Sequence, residues 1–374
     1  MNLYLVAGEA SGDARGAELI RSLRARRSDI EFHGFGGPQM AALAGPEMVR
    51  DWIERAGVIG IIDVLKNYGY FRQNFKRALA EIARMKPDAV VLIDYPGFNL
   101  RLAKALRRAG TAAKVIDYIS PQVWAWNRRR IPEMARSLDL MVCIFPFEKP
   151  LYEQSGLKTV FAGHPMLDSL AEKRIGAPRE ENLLGLLPGS REREVRKIFP
   201  VMLDAAAILA KTRPALRVEA AAASGEMRRI MEEIARRYPG VRCDITLKTA
   251  HSLMQRATAG MVASGTATLE AAYFGLPFVL LYKAAWLTFA IGRRLVRVKW
   301  LGMPNILANR EVVREFLQEA ALPGPIAAEV APLLDDPGAR TLFQETLRGA
   351  ISTLGEPGAS TRAADAILDI LHAG

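Results

Sequence analysis

The hydrophobic positions of this chain fall into short continuous runs separated by longer stretches with helical spacing. In the first half the runs are "LYLVAG", "IEFHGFGG", "PDAVVLID", "KVIDYIS", "LDLMVCIFP" and "TVFAGHP", with amphipathic segments such as "RQNFKRALAEIARM" and "RLAKALRRAG" between them. Unbroken β-branched and leucine runs, rather than strict alternation, suit strands buried on both faces of a parallel sheet. Over residues 166–182 the rhythm lapses into a polar segment with Gly176 and Pro178, the expected linker. It restarts with "LLGLLPGS" and continues through "LRVEAAAA", "VRCDITLK", "AGMVASG" and "LPFVLLY". The pattern predicts an α/β protein of two doubly wound, Rossmann-like domains facing a cleft, residues 1–168 and 169–350. A last amphipathic helix is expected within 351–374, crossing back to the first domain or exchanged in a homodimer.

Composition agrees with two packed cores and adds a charge. Half of the 374 residues are hydrophobic and the formal net charge is +11. A basic balance of this size favours anionic partners: nucleic acid, phosphorylated metabolites or an acidic membrane surface. The two cysteines, Cys143 and Cys243, have no ligand or disulfide spacing, which points to a reducing compartment. The start "MNLYLVAG" lacks a basic region before its apolar run and reads as a strand rather than a signal peptide. The longest apolar stretch, residues 276–292, contains a proline and Lys283 and falls short of a clean span. Four histidines without ligand spacing predict no protein metal site.

Candidate chemistry gathers at strand ends, where open α/β sheets bind ligands. "AGEASGD" (7–13) is a strand, a glycine turn and the start of a helix, but Glu9 after Gly8 departs from the dinucleotide fingerprint. In "LLPGSR" (186–191), Gly189 makes a turn, Ser190 suits an N-cap and Arg191 offers a guanidinium to a diphosphate. The same residues also suit a plain N-cap followed by a solvated arginine. "SGTATLEAA" (264–272) crowds Ser264, Gly265, Thr266 and Thr268 into a helix start, and Glu270, one turn on, can accept both hydroxyls of a ribose. Its competitor is a capping box. Asp94, at the end of "LIDYPGFNL" (92–100), is either a general base or the cap of a helix beginning near Phe98. His164 reads as a hinge. "SPQVWAWNRRR" (120–130) joins tryptophans to arginines, but with no nucleic-acid module around it the tryptophans read as core or cleft wall. The basic, aromatic stretches 286–300 and 65–79 are candidates for touching lipid and equally suit ordinary helices.

In this order, "AGEASGD", "SPQVWAW", "FPFEKPLYE" (145–153), "AGHPMLD" (162–168), "LLPGSR", "SGTATLEAA" and "MPNILANREVVREFLQ" (303–318) resemble the lipid A disaccharide synthase family of bacterial glycosyltransferases. The resemblance spans essentially the whole chain. It departs at Gly97, where a second acid is expected after the proline, leaving Asp94 to supply the carboxylate there. The resemblance implies a GT-B fold and transfer from UDP-2,3-diacylglucosamine to the 6-hydroxyl of 2,3-diacylglucosamine 1-phosphate. The products are a β-1,6 disaccharide and UDP. It implies no cofactor, and a cytoplasmic protein held peripherally at the anionic inner face of the bacterial inner membrane.

On this reading Asp94 is the base with Glu9 as its rival, and Gly8, Ser11 and Gly12 face the acceptor or a phosphate. Gly189, Ser190, Arg191, Ser264, Gly265, Thr266, Thr268 and Glu270 hold the donor, joined by Asn305 and Gln318. The alternatives are another GT-B transferase on a lipid-linked acceptor, a UDP-N-acetylglucosamine 2-epimerase-like isomerase, or a non-catalytic phosphoglycolipid-binding protein.

Overall fold

The computed structural model describes residues 1–56, 68–176, 178–284 and 298–372. Most of the stretch 286–300 therefore lies outside the described residues, as does the beginning of 65–79. The chain divides into two compact units, Met1–Asp168 with Leu354–Gly374, and Ser169–Thr353.

The first unit is built on a parallel sheet of seven strands: β1 Asn2–Ala7, β2 Glu31–Gly36, β3 Val49–Asp51, β4 Ala89–Ile93, β5 Lys114–Tyr118, β6 Leu140–Cys143 and β7 Thr159–Phe161. Their order is β3-β2-β1-β4-β5-β6-β7. In β1, Leu3 to Ala7 are all fully buried, and so are all five residues of β4. That is the outcome continuous apolar runs dictate when helices cover both faces of a sheet. The second unit repeats the design with β8 Glu180–Leu187, β9 Arg217–Ala222, β10 Cys243–Leu247, β11 Ala257–Ala263, β12 Phe278–Tyr282 and β13 Glu315–Leu317, ordered β10-β9-β8-β11-β12-β13. Every strand pair is parallel. In each sheet the winding reverses beside the first strand, between β1 and β4 and between β8 and β11.

The polar segment read as a linker is partly structured: it opens with the helix Met166–Ala171 and ends on the first residues of β8. The helix Ala359–His372 packs on the first unit, where Asp168 accepts hydrogen bonds from the Gly358 and Ala359 amides at 2.6 and 3.3 Å. Arg26 pairs with Asp365 on the helix, and Arg362 Nε donates to the Ala162 carbonyl at 2.7 Å. Among the described residues no helix is long and apolar enough to cross a membrane.

Candidate functional site

In the second unit the carboxyl ends of β8, β9, β10 and β11 surround a pocket of about 600 Å³. That is the size range of small-ligand sites, at the place where open sheets bind them. Gly189 and Gly265 turn the chain there with φ of +105° and +150°, values that a side chain would strain. Each turn leads into a helix, Glu192–Ala210 or Thr266–Tyr273, whose N-terminus has no side-chain cap. Two sets of unsatisfied amides, each at the positive end of a helix dipole, thus belong to one pocket, an arrangement suited to an anion.

The N-cap position before Glu192 is taken by Arg191 with extended backbone, not by Ser190 as expected; Ser190 lies one residue earlier and lines the pocket. The Arg191 side chain is 71% exposed and donates to Glu194 Oε1 at 3.2 Å, so it can turn toward a ligand at small cost. Ser264, Gly265 and Thr266 line the same pocket. Thr268 is buried, and its hydroxyl donates to the Gly265 carbonyl at 2.8 Å, bracing the turn from inside. No capping box forms at this helix. Glu270 does reach the pocket, with Oε2 3.4 Å from His251 Nε2.

Asn305 and Gln318 do not line the pocket and are buried. Asn305 Oδ1 accepts from the Val312 and Val313 amides, and its Nδ2 donates to the Val313 carbonyl and Glu315, so the side chain is consumed in fixing its own loop. Gln318 accepts from the Ala284 amide at 2.7 Å just beyond β12. Both support the fold around β12 and β13. Sequence reasoning missed Lys248 and His251, which line the pocket after β10. The signal available was their place immediately beyond a strand.

In the first unit the corresponding reversal lies where β1 and β4 end. Glu9 occupies the N-cap position of the helix Ala10–Arg26, with no side-chain cap bond. Asp94 follows β4 in the left-handed region, φ +39°, a conformation that clusters at functional sites. Tyr95, not Asp94, takes the N-cap position of the helix Pro96–Arg108, which removes the capping alternative. Among the described residues no hydrogen bond or ion pair engages the Asp94 carboxylate. Burial, and then the charge of Glu9, push its pKa up to about 6 against the opposing influence of Arg15. A carboxyl tuned toward neutrality, unpartnered at a strand end, is what a general base requires.

The glycine turn has divided duties. A Cβ on Gly8 would come within 2.5 Å of the Tyr95 ring, so Gly8 admits that ring. Gly12 lies in the helix and packs on Ala7 and Ile93; Ser11, also in the first helical turn, is exposed. The buried Asp13 accepts from the Gly37, Gln39 and Met40 amides, each at 2.9 Å, and thereby caps a neighbouring helix.

Two acids the sequence did not single out lie further in, Asp117 near Asp94 and Glu148 near Asp117. Asp117 is held well above the usual carboxylate range by burial and by the charges of Asp94 and Glu148. Glu148 is fully buried and pushed up to about 7 by desolvation, although it accepts from Ser120 Oγ, Trp124 Nε1 and the Phe145 amide at 2.5, 2.8 and 3.1 Å. Trp124 is thus core, as expected, whereas Trp126 is 45% exposed beneath Arg130. His164 is half-buried, accepts from the Met166 amide and sits against the Phe145 ring. Burial, with Arg15 nearby, lowers its pKa to about 4.

The paired Rossmann-like units define the class: this is a GT-B fold, the architecture of glycosyltransferases. A crystal structure of MurG from Acinetobacter baumannii superposes with a TM-score of 0.60 at 14% identity, covering 98% of this chain and 99% of that one. A UDP-GlcNAc 2-epimerase from Neisseria meningitidis superposes with a TM-score of 0.59 at 13% identity over the full length of both chains. These likenesses show the fold alone. The family model for lipid-A-disaccharide synthetase matches residues 3–367. A lipid-A-disaccharide synthase from Trichlorobacter lovleyi is 40% identical over 380 residues, covering 99% of this chain and 97% of its own. The chain belongs to the lipid-A-disaccharide synthase family and is a glycosyltransferase of lipid A biosynthesis. The isomerase alternative is not favoured.

Proposed function

We propose that the protein transfers 2,3-diacylglucosamine from UDP to the 6-hydroxyl of 2,3-diacylglucosamine 1-phosphate, with inversion, at an anionic membrane surface. The observation that carries the division of labour is the contrast between an anion-binding pocket in one unit and an unpartnered, basic Asp94 in the other. The donor diphosphate lies on the amides after Gly189 and Gly265 with the guanidinium of Arg191, and Glu270 accepts from the ribose hydroxyls. These fixed donors meet the negative charge that develops as the sugar C1–O bond to UDP breaks. Asp94 takes the proton of the acceptor hydroxyl as its oxygen forms the new bond to C1. Glu9 contributes by its charge, keeping Asp94 basic enough to act. The positive net charge of the chain favours anionic, acylated substrates presented at a membrane.

The test is to mix purified protein with UDP-2,3-diacylglucosamine and 2,3-diacylglucosamine 1-phosphate, without added divalent metal, and to follow UDP and the disaccharide by mass. Equal amounts of UDP and a tetra-acylated disaccharide phosphate are expected. In a parallel incubation with UDP-N-acetylglucosamine alone, followed by NMR, epimerisation together with no disaccharide in the first mixture would instead restore the isomerase.

A further inference from the structure

Two cavities of the first unit meet at the start of the helix Pro96–Arg108, apart from the donor pocket. One, of about 440 Å³, is walled by the rings of Tyr68, Phe71, Phe75 and Phe98 and edged by Arg72 and Arg101. Phe75 and Phe98 meet edge to face at 5.5 Å, and Phe98 is itself buttressed by Trp52 at 5.0 Å, so the wall is firm. The other cavity, of about 250 Å³, has Arg101, Lys104 and Arg130 on its polar side. Gly97 and Arg101 line both.

Charge separates the two. Lys104 is paired with Glu133, and Arg130 lies over the Trp126 ring at 5.4 Å. Arg72 and Arg101 have neither a hydrogen bond nor an ion pair among the described residues, although both are exposed beside an aromatic slot. A bare anion would leave that slot wet, and a neutral lipid would leave both guanidinium groups unmatched. An amphiphile that carries an acyl chain and a phosphate satisfies both.

We propose that these cavities are the two halves of one site, which holds a single acyl chain among the rings and a phosphate on Arg101. Resting on the transfer reading above, the occupant is the phosphorylated acceptor. Asp94 precedes Gly97 by three residues, so an extended chain places their Cα atoms within about 11 Å. A sugar held between the cavities therefore lies in reach of the base.

The test uses alkyl phosphates, from butyl to dodecyl, titrated calorimetrically into the whole protein below their micelle concentrations. Affinity rises by up to about fourfold per added CH₂ and then stops once the slot is full. Arg101→Gln weakens dodecyl phosphate about ten- to a hundredfold, and Phe75→Ser flattens the chain-length series. If Phe75→Ser does not fold, the wild-type series and Arg101→Gln decide.

Binding that keeps rising with chain length, that is indifferent to Arg101→Gln, or that occurs only with phosphatidylglycerol vesicles would overturn the site, the last in favour of a lipid surface. In turnover, Arg101→Gln raises the acceptor KM more than it lowers kcat. An unchanged KM with normal disaccharide synthesis sinks the site and leaves the transfer reading standing. Dodecyl phosphate binding that depends on Arg101, in a protein that releases no UDP, keeps the site and sinks the transfer reading.

Discussion

The two sheets reverse their winding in the same way, yet the residues at the two reversals are opposite in kind. Beside β8 and β11 the chain presents open helix N-termini, glycine turns and the largely exposed Arg191, all donors to negative charge. Beside β1 and β4 it presents Glu9 and Asp94, both carboxyl groups, with Asp117 close by and kept toward its neutral form by burial. On the proposed function, one topology carries an anion receptor in one unit and a proton acceptor in the other. The difference arises in a few residues beyond the strand ends, not in the strands. A transferase that must hold a diphosphate and deprotonate a hydroxyl needs both.

Substitutions that exchange or remove these characters test the contrast. The largest effect is expected at Asp94: Asp94→Asn lowers kcat/KM by about 10²–10⁴-fold, read as the rate of UDP release. Next, Arg191→Ala removes one charge-assisted contact and raises the donor KM by about 10–100-fold, with a smaller change in the acceptor KM, measured by steady-state kinetics.

A pH profile sharpens the acid side. Because the base must be ionised, log kcat/KM falls with unit slope as pH drops below about 6. Glu9→Gln removes the neighbouring negative charge, so its acid limb moves to lower pH.

One effect falls on stability rather than on turnover. The Glu148 carboxyl is raised to about 7 in the folded protein, so its contribution is fully present below its unfolded value near 4.5 and is lost as pH rises through 7. Thermal unfolding of Glu148→Gln, followed from pH 4.5 to 8, should lack that decline. The wild-type change is on the order of 3 kcal/mol.

Much of the fold was legible because buried parallel strands announce themselves as unbroken apolar runs. The strands that escaped, β3 and β13, are three-residue edges, "VRD" and "EFL", too short and too polar to make such a run. The turns at Gly189 and Gly265 and the acid Asp94 were legible as strand-end chemistry. Asn305 and Gln318 show the limit of a motif. Their surroundings mark them as special, but only the hydrogen bonds reveal that they brace loops. Asp117 and Glu148 were not legible at all, since the desolvation that shifts them is created by residues distant in sequence. His251 meets Glu270 only because the helices Ala250–Arg256 and Thr266–Tyr273, which follow β10 and β11, pack on each other.

The most direct measurement of the account is UDP affinity and turnover in the same preparations of wild type and Asp94→Asn. If donor recognition and proton transfer are divided between the units, UDP binds both proteins within about twofold while turnover of the variant falls at least about a hundredfold. UDP affinity falling in step with turnover, or turnover surviving the substitution, would contradict it.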